Sequence, residues 1–129
     1  MTVIYLDQYR KAKVLIASAD RHIAEVLCEF FLINELKVEL VDSFEKIIPT
    51  LSRKRPDMVL IANLAQSPDQ IPSLIAAIKN EYPSIGIVVL SGDEGIQSDV
   101  MSHGADVFML TPFCFKELLG RMKTILSVK

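Results

Sequence analysis

The chain has 129 residues, half of them hydrophobic, enough for the core of one ordinary domain, and no composition shift marks a second. A formal net charge of −2 offers no basic footprint for nucleic acid, and no stretch approaches the roughly 18 apolar residues of a membrane span. The two cysteines, Cys28 and Cys114, lack zinc or redox spacing, which reads as free thiols in a reducing, cytoplasmic setting.

Residues 1–12 form an N-terminal extension without a signal-peptide layout, because "MTVIYLDQYRKAK" carries its positive charge last. The domain proper runs over 13–129. A first strand, "KVLIAS" (13–18), leads to Asp20, an N-cap for a helix over 21–34 whose Ile23, Val26, Leu27, Phe30 and Phe31 make one apolar stripe. "KVELVD" (37–42) alternates as an edge strand does. Ser43 then caps a second helix with Ile47, Ile48 and Leu51 inward, which Pro49 should kink or shorten. The run Arg53-Lys54-Arg55 reads as its solvated end.

"DMVLIAN" (57–63) is apolar on successive residues, the mark of a strand covered on both faces. A helix opens near Pro72 with Leu74, Ile75 and Ile78 inward, and "IGIVVLS" (85–91) is the fourth strand. A helix over 94–103 holds Ile96, Val100 and Met101 and stops at Gly104. "DVFMLT" (106–111) is the fifth strand. A last helix over 114–127 turns Leu118, Leu119, Met122, Ile125 and Leu126 to the core. Five β-α units in this order imply a doubly wound, flavodoxin-like parallel sheet with helices on both faces. Ligands in such folds bind outside the carboxyl ends of the strands, here Ser18–Asp20, Ala62–Leu64, Ser91–Asp93 and Thr111–Pro112.

Three stretches, "RPDMVLIAN", "YPSIGIVVLSG" and "HGADVFMLTPFCFKELLGRM", agree in order and spacing with a known plan. Through them the chain, from 13 to about 127, resembles the receiver domain of two-component response regulators. The resemblance implies strand order 2-1-3-4-5 and a site for aspartyl phosphorylation at the strand ends. Such a site uses an acidic pair for Mg²⁺, an acceptor aspartate and a lysine, because phosphoryl transfer is mostly positioning and charge neutralisation. Carried over by position, the acidic pair falls on Ser18 and Ala19, the acceptor on Ala62, and the lysine on Thr111, before the proline of the family's cis bond, Pro112. Ser91 and Phe108 retain the switch positions, and Asp20 matches an auxiliary acid. Asn63, one residue past the acceptor position, should point to the other side of its strand. A methyl group cannot take a phosphoryl group, so the pattern describes a pseudo-receiver with no metal, no cofactor and no enzymatic activity.

Other constellations have plainer readings. Ser18, Asp20 and His22 do not converge as a triad, and His103 suits a helix end. Cys114, between Phe113 and Phe115, reads as packed. "SGDEG" (91–95) lacks a phosphate-cradling pattern and reads as a rigid turn. The resemblance implies partner docking on the face of the fourth helix, fifth strand and fifth helix. Met101, Val107, Phe115, Glu117, Arg121 and Lys123 are its candidate residues, and a protein partner or a second copy its occupant. No nucleic acid or membrane contact is expected. The alternative is a small-molecule sensor using the emptied phosphate pocket.

Overall fold

The structure, a computed structural model, describes residues 12–62 and 70–127. Five strands, β1 (Lys13–Ala17), β2 (Lys37–Val41), β3 (Met58–Ala62), β4 (Gly86–Ser91) and β5 (Val107–Leu110), form one parallel sheet in the order β2-β1-β3-β4-β5. The helices are α1 (Arg21–Ile33), α2 (Ile47–Lys54), α3 (Gln70–Glu81), α4 (Gln97–Ser102) and α5 (Phe115–Ser127). The expected (βα)5 order and strand order 2-1-3-4-5 are therefore observed.

Side-chain alternation along the strands divides the core in two. Leu15, Val59, Ile61, Ile87, Val89 and Phe108 pack against α2, α3 and α4, through Ile47, Leu51, Ile75, Ile78 and Val100. Val14, Ile16, Leu60, Val88, Leu90 and Met109 pack on the other face against Leu27 and Phe31 of α1 and Leu118 and Met122 of α5. Burying each such aliphatic side chain is worth about 1.5–3 kcal/mol, so the apolar strand runs hold both helical layers to the sheet.

Local chemistry moved several boundaries. Strands β3 and β5 begin one residue later than their apolar runs suggest, because Asp57 and Asp106 act as clasps. Asp57 Oδ2 accepts the Lys13 N–H at 2.9 Å, and Asp106 Oδ2 accepts the Ile87 N–H at 2.8 Å. Asp106 also pairs with Lys79 Nζ at 2.9 Å. Ser43 does not cap the second helix: a 3-10 turn, Phe44–Lys46, comes first, and Ser43 makes no side-chain cap bond there. Pro49 consequently sits in the first turn of α2, where its missing N–H leaves no helix bond unmade, and no kink is needed. A second 3-10 turn, Glu94–Ile96, likewise shortens α4.

Candidate functional site

The carboxyl ends of β1, β3, β4 and β5 meet at one pole. Ser18 is buried, at 3% exposure, and its Oγ accepts the Asp20 N–H at 3.1 Å. Ala19 is exposed, while Asp20 caps α1 by accepting the Ile23 N–H at 3.2 Å. Ala62 is 2% exposed, lies beside Leu90 in the β3–β4 register, and belongs to the apolar cluster that includes Met109. Ser91 is half-buried, and its Oγ accepts the Asp93 N–H at 3.0 Å. Thr111 donates its N–H to the Ser91 carbonyl at 2.9 Å and precedes a cis bond to Pro112. Phe108 is buried against α3 and α4. Asn63, with its expected orientation, lies outside the described residues.

This donor set does not fit Mg²⁺. The ion takes hard, mostly charged oxygen ligands, and positions 19 and 62 offer methyl groups. The Ser18 hydroxyl is already used in its own turn, as is one oxygen of the Asp20 carboxylate. A cleft of about 660 Å³ lies toward β2, lined by Ser18, Arg21, Glu25, Leu40, Asp42 and Lys46 among others.

A second feature is the β5 edge of the sheet. Leu110 on β5 is 42% exposed and Met101 on α4 is 41% exposed, so two large apolar side chains flank this edge. A shallow depression beside them is lined by Gln97, Leu110, Pro112, Cys114, Glu117 and Arg121 among others. Glu117 and Arg121 pair within α5 at 3.5 Å, and Lys123 is exposed.

Two candidate interface residues move off this face. Val107 is 6% exposed and packs in the cluster under α5, because β5 is covered on both sides there. Phe115 turns toward α1, its ring centroid 4.7 Å from that of Phe30 and 5.0 Å from that of Phe113. Because these aromatic rings gather on one another, Cys114 between them is left exposed and not packed as expected.

No family model matches the chain. Among curated proteins, the response regulator MprA of Mycobacterium sp. (strain KMS) is 25% identical over 116 residues, covering 88% of this chain and 50% of the relative. The chain thus spans about half the length of the curated relatives it matches. A solved response regulator from Thermotoga maritima superposes with a TM-score of 0.81 at 23% identity, over 91% of this chain and 98% of that one. A two-component response regulator from Clostridium difficile gives 0.81 at 21% identity, over 91% and 97%. The fold is that of a response-regulator receiver domain.

Within the receiver fold, the residues that the sequence reading assigned to the phosphorylation positions, Ser18, Ala62 and Thr111, all sit at the carboxyl pole, together with Ser91. Leu110 was missed on sequence. It is the last residue of β5 and the exposed one of the four. Among the described residues, no helix is long and apolar enough to cross a membrane.

Proposed function

We propose that this chain is a receiver-like signalling module that works without aspartyl phosphorylation, through protein contact at the α4–β5–α5 face, with a second copy as occupant. The observation that carries this reading is Ala62. Its methyl group, at the position that the resemblance gives to the acceptor, lies in an apolar cluster with Leu90 and Met109 and cannot attack phosphorus. The fold, the uncharged residues Ser18, Ala19, Ala62 and Thr111, and the exposed apolar side chains Met101 and Leu110 support this reading. The test is a titration with Mg²⁺ and beryllofluoride followed by amide chemical shifts. Shifts at Ser18, Ser91 and Thr111 should stay in place, and saturable, Mg²⁺-dependent binding would overturn the reading.

A further inference from the structure

One short pattern occurs at two strand ends. Ser18-Ala19-Asp20 follows β1, and Ser91-Gly92-Asp93 closes β4. In both, the serine Oγ accepts the N–H of the aspartate two residues on, at 3.1 Å and 3.0 Å. In both, that aspartate's Oδ1 accepts an N–H at the start of the next helical turn, from Ile23 at 3.2 Å and from Gly95 at 2.9 Å. Each turn is also fastened to a neighbouring strand. Ser18 donates its N–H to the Val41 carbonyl at 3.1 Å, and the Ser91 carbonyl accepts the Thr111 N–H at 2.9 Å.

Taken singly, each turn is ordinary local capping, of the kind serine and aspartate favour. Their placement adds more. In the order β2-β1-β3-β4-β5, the strands β1 and β4 lie on either side of β3, so the two turns flank the end of the strand that carries Ala62. The Ser91 hydroxyl, turned to the Asp93 N–H, can swing toward the end of β3 only by releasing that bond. We propose that the two Ser-x-Asp turns are matched latches, holding the loops on both sides of β3 in a single arrangement. The shape shown to a partner is then fixed by the chain itself and does not wait for a ligand. This rests on the phosphorylation-independent reading above.

Amide hydrogen exchange on the full chain tests it. In the unaltered protein the Asp93 and Gly95 amides should be protected relative to an unstructured peptide. Ser91→Ala should speed their exchange about three- to tenfold, the loss of one net hydrogen bond, with Ile87 and Val88 unchanged. Ser91→Thr, which keeps the hydroxyl, should restore the original rates. Ser18→Ala should do the same for Asp20 and Ile23. Because Ser18 is buried, a parallel rise at Ile16 and Leu60 would report global destabilisation, and the Ser91 variants then decide. Unprotected Asp93 and Gly95 amides in the unaltered chain, or no response to Ser91→Ala, would overturn the latch. Neither result depends on the beryllofluoride titration: uptake there would defeat the parent reading while leaving the exchange rates standing.

Discussion

At the positions that the resemblance gives to the phosphorylation site and its switch, Ala62, Ser18 and Ser91 carry structural tasks. Ala62 adds a methyl group to an apolar cluster, and the Ser18 and Ser91 hydroxyls close turns. The identity of these residues is legible in the sequence, but which N–H each hydroxyl accepts is not. Nor is the exposure of Cys114: it depends on Phe30, more than eighty residues earlier, drawing Phe115 toward α1. Among the ionisable groups, Asp42 is held below its usual value of 3.8, first by the hydrogen bond from Lys46 at 2.9 Å, then by that ammonium's charge, with Arg21 adding to it. A carboxylate whose pKa is lower folded than unfolded contributes stability above its unfolded pKa, and loses it as pH falls through the folded one. Both partners are well exposed, so the contribution is small and screened by salt. Lys46→Ala should raise the Asp42 midpoint toward 3.8 in an NMR titration; an unchanged midpoint would remove Lys46 as the cause.

Element identity followed from apolar periodicity, and element ends from side-chain chemistry that periodicity does not carry. Pro49 shows the difference. It would disrupt a helix capped by Ser43, and it is harmless where a 3-10 turn sets the helix start at Ile47. The clasps at Asp57 and Asp106 were equally hidden, because an aspartate before a strand does not announce which neighbouring N–H it will accept. Packing of α5 on the sheet sets a sharper requirement at Gly86, where an added Cβ would lie 2.7 Å from Ile125 Cγ2. Gly120, in the middle of α5, has nothing within 4 Å of the same position. Urea denaturation should therefore separate the two. Gly86→Ala is expected to lose about 1–3 kcal/mol by overpacking, and Gly120→Ala to gain about 0.5–1 kcal/mol from helix propensity. Equal effects would mean that α5 does not press on β4.

Across the whole molecule, the fold was readable because five β-α units leave few topologies open. Of the candidate interface residues, Val107 is buried and Phe115 stacks toward α1, outcomes set by packing that the sequence does not carry. With Glu117 and Arg121 already paired to each other, the α4–β5–α5 face offers Met101 and Leu110 as its main attraction. Light scattering on the chain should then give a dimer mass that persists from low to high salt, because apolar burial is not screened as ion pairs are. Leu110→Lys should shift the mass to that of a monomer without altering the circular dichroism. A monomer under all conditions, or a dimer indifferent to Leu110→Lys, would move association elsewhere. The packing around Ala62 also constrains what can replace it. An aspartate placed there alone would put a carboxylate at a 2%-exposed position among Leu90 and Met109, with no metal ligands at 18 and 19 and no lysine at 111 to offset its desolvation. An Ala62→Asp change by itself is therefore expected to weaken the fold without restoring phosphoryl chemistry, so any such reversal has to begin elsewhere, for example at the exposed Ala19.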